Sequence, residues 1–297
     1  MQHESKPSSG KIWVAAIPAV FVFLWSTGFI GAKYGLPYAE PGVFLAIRHS
    51  IVAAVMVAIA VLFRAPWPQS WQAVAHLAII GILLHAIYLG GVFFSISLGV
   101  DAGVSALITG LQPVVVAVLA GPLLGERQTP RQWFGFVLGL IGVALVVQNK
   151  LDLGAGTVFG MTLSAIALLG MAFGTLYQKR FGQEMDLRSG SAIQFTAAAI
   201  VMWLVSFVFE EGHVSWTGEF IFAMFWLCVV LSFGAVSLLY LMIRKGAASK
   251  VSSLMYMVPP TAAVIAYFMF GETLSSVALV GMAVAVIGVA LVNFGTS

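Results

Sequence analysis

Arg48 and His49 stand side by side about seven residues, or roughly 10 Å, inside an apolar run that extends from Gly42 to Phe63. A guanidinium buried in hydrocarbon needs a partner, and its planar fork of donors matches a carboxylate bidentately. Snorkelling to an interface or pairing with helix-end carbonyls would serve it equally well. His85, mid-way through the run Trp71–Leu98, could hydrogen-bond a substrate or take a proton; simple helix packing would also account for it. Polar residues recur at helical spacing in several other runs. Tyr88 and Ser95 follow His85, Gln112 follows Ser105 and Thr109, and Met171 shares a stripe with Ser164, Thr175 and Gln178. Tyr240 goes with Ser237, and Tyr256 with Ser249 and Ser253. Trp25, Tyr88, Tyr240 and Tyr256 could stack on an aromatic substrate or simply pack in the core. Trp25, Arg48, His49, His85, Tyr88, Gln112, Met171, Gln194, Tyr240 and Tyr256 therefore form the candidate substrate-binding set, facing a central path.

Other chemistries lack their residues. No GxxxxGK[ST], HExxH or GxSxG pattern occurs, so neither nucleotide hydrolysis nor protease chemistry is expected. Cys228 is the sole cysteine and sits in an apolar run, which excludes a disulfide framework or thiolate metal site. No cofactor, metal or catalytic group is expected. A net charge of +3 is too small to point to nucleic acid.

The elements that position these residues must be membrane helices. Charged residues make up 8% of the 297-residue chain and hydrophobic residues 61%; a soluble domain carries about 25% charged residues. Ten apolar runs of near-spanning length follow one another: Trp13–Gly31, Gly42–Phe63, Trp71–Leu98, Gly103–Leu124, Gln132–Gln148, Gly156–Gln178, Ser191–Phe209, Phe220–Ile243, Val251–Phe270 and Ser275–Phe294. None alternates with the period of two that a barrel strand requires. With the N-terminus in the cytoplasm, Lys33 and Lys150 alone among the loop cations fall on the far side, so both termini are expected inside. The first run has no cleavage pattern before it and is expected to persist as a helix.

The chain also repeats itself. Ile141–Val146 recurs unchanged as Ile287–Val292, an offset of 146 residues. The same offset carries Pro113 to Pro259, Gly125–Glu126 to Gly271–Glu272, Gly28 to Gly174, Lys33 to Lys179 and Arg48 to Gln194. Residues 1–12 then form a disordered tail, 13–150 one five-helix repeat and 151–297 a second. Five is odd, so the second half enters the bilayer from the opposite side, giving two inverted repeats. The fold class is an all-α membrane protein of ten transmembrane helices. Gly135, Gly139 and Gly142, repeated as Gly281, Ala285 and Gly288, read as close-packing seams. Pro113, Pro259 and Pro260 would either free carbonyls for a site or kink a helix for packing.

The stretches "GLQPVVVAVLAGPLLGERQTPRQWFGFVLGLIGVALVV" and "YMVPPTAAVIAYFMFGETLSSVALVGMAVAVIGVALVN", with "LWSTGFIGAKYG" near the start, resemble the EamA-like members of the drug/metabolite transporter superfamily. The resemblance covers about residues 13–294. It implies a carrier of small metabolites, often an exporter of amino acids, aromatic ones included. All eleven acidic residues lie outside the ten runs, whereas proton-coupled carriers usually hold a carboxylate in the membrane. The expectation is uncoupled, alternating-access export from a bacterial inner membrane, by a monomer in contact with lipid. Proton-coupled antiport through a membrane histidine and a gated channel are the alternatives.

Overall fold

The computed structural model describes residues 9–124, 129–148, 155–182, 185–235, 238, 255–273 and 275–293. Apolar runs without β-branched alternation become helices, and the described residues contain no strand beyond one isolated bridge, Ala39 to Val214. In chain order they are α1 (Ser9–Gly35), α2 (Pro41–Leu62), α3 (Trp71–Gly81), α4 (Tyr88–Ser97), α5 (Ala102–Thr109), α6 (Gln112–Leu124), α7 (Pro130–Gln148), α8 (Ala155–Phe181), α9 (Leu187–Phe209), α10 (Gly218–Phe225), α11 (Val258–Phe270) and α12 (Ser276–Asn293). Seven stretches are long and apolar enough to cross a membrane; Pro130–Val146, Val258–Phe270 and Ser276–Leu291 are apolar but shorter. Large apolar side chains such as Phe207, Phe209, Phe268 and Leu62 are more than three-quarters exposed, as expected of a surface solvated by lipid. The chain is a multi-pass membrane protein.

Two expected runs are interrupted. The run Trp71–Leu98 is helical throughout, but Ile82–Ile87 between α3 and α4 winds as a π-helix. The run Gly103–Leu124 breaks at the Gly110–Leu111 turn, where α5 gives way to α6. A second π segment, Trp226–Ala235, continues α10. The offset of 146 residues carries the first π segment to 228–233, inside the second. Such local widening of a helix is rare and recurs at functional sites.

Several helix ends are held by side chains distant in sequence. The Glu210 carboxylate accepts from the Gly42 and Val43 amides at 2.6 and 2.8 Å, covering the start of α2. The Glu272 carboxylate accepts from Ala102 N and Gly103 N at 3.0 and 3.4 Å at the start of α5, and pairs with Lys33. Both place an anion on a positive helix end. Pro113, Pro259 and Pro260 lie in the first turns of α6 and α11, where proline starts a helix instead of kinking it.

α2 packs along α9, and α7 along α12. α1 runs against α10 and α11, while α8 runs against α4, α5 and α6. The glycine seams meet in the α7–α12 pair. A Cβ on Gly142 would strike the backbone of Ala285 and Gly281, and one on Gly288 would lie 2.6 Å from Gly135 O. Only residues without side chains permit that approach.

Candidate functional site

A cavity of about 490 Å³ lies among α1, α2, α3, α4, α8, α9 and the two π segments. Trp25, Arg48, His85, Tyr88, Met171 and Gln194 all line it. These are six of the ten residues singled out by type and spacing. Its apolar wall includes Phe29, Leu84, Leu89, Val92, Phe93 and Leu231. The lining reaches Met185, Asp186 and Leu187 at the junction of α8 and α9.

Arg48 is 4% exposed and does not snorkel. Its Nη2 donates to Leu227 O at 3.3 Å, and its Nε is buried without a partner. The Ser232 hydroxyl, five residues on in the second π segment, donates to the same carbonyl at 3.0 Å. The widened turn thus turns a main-chain carbonyl into an anchor for the guanidinium. His85, in the first π segment, stacks on Phe195 with ring centroids 4.1 Å apart and planes 18° apart. Gln194 lies beside it, within hydrogen-bonding reach.

The other four residues do not join this wall. His49 points away from Arg48, since consecutive helical residues diverge by about 100°. It is fully buried behind the wall, 6.1 Å from His85 and 5.9 Å from Phe195 between ring centroids. Neither of its ring nitrogens has a partner. Gln112 supports the wall from outside: its Nε2 donates to Thr175 Oγ1 at 3.2 Å, and that hydroxyl donates to Met171 O at 2.7 Å. Tyr240 and the side chain of Tyr256 lie outside the described residues, as does Glu126.

The expected polar stripes divide. Ser95 and Ser105 meet Ser164 at 2.7 and 3.0 Å in a fully buried hydroxyl cluster that joins α4, α5 and α8. It satisfies its own hydrogen bonds and does not line the path. Trp203 is 46% exposed and donates to Ser50 Oγ at 3.0 Å. Cys228 is a small buried hydrophobe behind Arg48.

The cavity is closed at one end. Phe44 packs edge-on against Phe93 and Phe220, at 5.2 and 5.0 Å between centroids, and all three are essentially inaccessible. Beyond them the Glu210 cap and the Lys33–Glu272 pair cross between the two halves of the sequence. The loops are also joined: Ser215 N donates to Tyr38 O at 2.7 Å and His213 N to Glu40 Oε2 at 2.8 Å.

A helical membrane protein with a cavity of metabolite size between two related halves has the form of a carrier. The EamA-like transporter family matches residues 11–148 and again 158–294, and this chain belongs to that family. It is 26% identical to the uncharacterized transporter YvbV of Bacillus subtilis, over 95% of this chain and 92% of that one. It is 27% identical to a probable terminal-alkyne amino-acid exporter of Streptantibioticus cattleyicolor, over 96% and 94%. A crystal structure with 21% identity superposes with a TM-score of 0.64, covering 94% of this chain and 96% of that one, and shares the fold. The double family match makes the repetition in the sequence a duplicated domain.

Proposed function

We propose that this transporter is an uncoupled, alternating-access carrier that moves small amphipathic metabolites out of a bacterial cell, amino acids and aromatic ones among them. The observation that carries the reading is a cavity of about 490 Å³, walled by both halves, stopped by the Phe44 cluster and reaching Asp186 at its other end. The three shorter apolar helices beside the seven long stretches support a count of ten crossings. Exchanging the halves leaves the packing pattern intact, which supports inverted repeats. α2 with α9 and α7 with α12 pair an element with its own counterpart, and α1 against α10 and α11 mirrors α8 against α3 and α6. The lysine and arginine distribution favours both termini inside an inner membrane, with the Lys33 end outside. The cavity then opens to the cytoplasm, ready to load an export substrate. An amino-acid cargo is supported by the relative named as an exporter of that kind. The α7–α12 seam is consumed within the chain, which favours a monomer surrounded by lipid.

The absence of acidic residues from the ten apolar runs supports movement without an ion. One observation favours a second reading, proton-coupled antiport: His49 is buried with both nitrogens unpartnered, next to His85. Counterflow of a labelled amino-acid panel in proteoliposomes, with and without an imposed pH gradient, separates the two. Saturable counterflow indifferent to the gradient is expected. Accumulation driven by the gradient and abolished by His85→Ala would establish the second reading, and non-saturating flux without counterflow would indicate a channel.

A further inference from the structure

We propose that the cavity selects amphipathic monocarboxylates with no other charge over zwitterionic amino acids bearing the same tail, an inference that rests on the carrier reading above. Arg48 is a permanent cation, 4% exposed, and its Nε has no partner. Its contact with Leu227 O is long and neutral. No carboxylate among the described residues lies against it, and none of the eleven acidic residues falls in any of the ten apolar runs. A lone buried cation is costly, and a substrate carboxylate would both neutralise it and occupy its open donors.

The same wall offers an ammonium little. Asp186 is the one lining carboxylate among the described residues, and that group is engaged by Arg188 at 2.8 and 3.1 Å. It caps the start of α9, two turns from Gln194. The Thr175 hydroxyl is held between Met171 O and Gln112. An α-ammonium brought in beside the carboxylate would lose its water, meet mainly neutral groups and sit near the positive charge of Arg48. Trp25, Tyr88 and Phe195, partly buried and lining the cavity, provide an apolar, aromatic surface for the tail.

Three probes with one tail isolate the charges: 3-phenylpropionate, phenylalanine and phenethylamine. Binding is measured to the full chain in lipid nanodiscs, and charge movement in proteoliposomes on a solid-supported membrane. The expected order places 3-phenylpropionate at least roughly 10-fold tighter than phenylalanine, with phenethylamine weakest. Each 3-phenylpropionate carried moves one negative charge, whereas phenylalanine moves none. In Arg48→Gln the order collapses and in Arg48→Lys part of it returns, but the wild-type ranking stands without either variant. Phenylalanine equal to or tighter than 3-phenylpropionate, or phenethylamine first, would overturn the inference and leave the carrier intact. Binding of none of the three would overturn the inference together with an aromatic amphipathic cargo.

Discussion

The two ends of the cavity differ at one pair of equivalent positions. At the sealed end stands Phe44, fully buried between Phe93 and Phe220. The offset of 146 residues carries it to Gly190, which lines the mouth. A ring blocks one end, and a hydrogen atom leaves the other open. Charges follow the same division. The sealed end crosses between the halves through the Lys33–Glu272 ion pair and the Glu210 cap. At the mouth the ion pair is local, Asp186 with Arg188 two residues away, and the halves meet through main-chain carbonyls: Arg188 Nη1 donates to Phe63 O at 3.5 Å and Ser189 Oγ to Pro66 O at 2.6 Å. Two copies of one fold thus need not close alike: closure depends on which side chains bridge the halves.

Phe44→Ala gives the sharpest break. Truncating a fully buried phenylalanine costs about 3–5 kcal/mol, here taken from the closed arrangement. In a Cys228→Ser, Leu89→Cys background, where the reporter lines the cavity and is only partly buried, an impermeant maleimide is expected to label the protein with Phe44 intact from the mouth side alone and the Phe44→Ala variant from both sides. Labelling from the mouth alone in both would show that Phe44 is not the plug. Glu272→Gln is the next largest. It leaves Lys33 without its ion pair and the start of α5 with a neutral acceptor, for a loss of about 2 kcal/mol. Lys33 keeps its place over the Phe270 ring, 5.3 Å from the centroid, which limits the damage. The same labelling assay should show partial exposure, and Lys33→Gln combined with Glu272→Gln should lose little more.

Gly190→Phe tests the comparison from the other side. A Cβ there meets Leu77 Cδ2 at 3.5 Å, an ordinary contact, so the backbone leaves room for a side chain to start. The ring would project into the mouth. Transport is expected to fall at least tenfold, about 1.4 kcal/mol, with the thermal midpoint in detergent unchanged. Full transport would mean that substrate does not pass Gly190.

Legibility in the sequence followed the same physics. Helices and duplication were plain, because apolar runs and a fixed register survive in any environment. Arg48, His85, Tyr88 and Gln194 stood out because polar groups in hydrocarbon need a reason. Leu84, Leu89, Leu231 and Phe195 line the same wall but read like lipid-facing residues, since both surroundings are apolar. Asp186 carried no signal, since it lies in a polar break. The hydroxyls of Ser95, Ser105 and Ser164 suggested a path, yet small donors that satisfy each other serve packing instead. The π segments had no sequence mark, and without them the Leu227 carbonyl could not be recognised as the Arg48 anchor.

The smallest expected effect belongs to the mouth's own ion pair. Hydrogen bonds from the Arg188 guanidinium hold the Asp186 carboxyl down to about 2, against an ordinary 3.8, despite partial desolvation. A carboxyl depressed in the folded state stabilises it above its ordinary pKa, and that contribution drains away as pH falls from about 4 towards 2. Arg188 is 40% exposed, so water and salt screen much of the interaction. In Asp186→Asn this segment of the acid dependence should vanish while stability near neutrality drops only slightly, as followed by thermal midpoints in detergent between pH 5 and pH 2. Because the Asp186–Arg188 ion pair lies within one half and Arg188 keeps the Phe63 carbonyl across the halves, loss of the Asp186 charge should leave maleimide labelling at Leu89→Cys confined to the mouth side, unlike the loss of Glu272. Labelling from both sides in Asp186→Asn would mean that the mouth and the sealed end are coupled, and that the local pair at Asp186 also helps hold the far end shut.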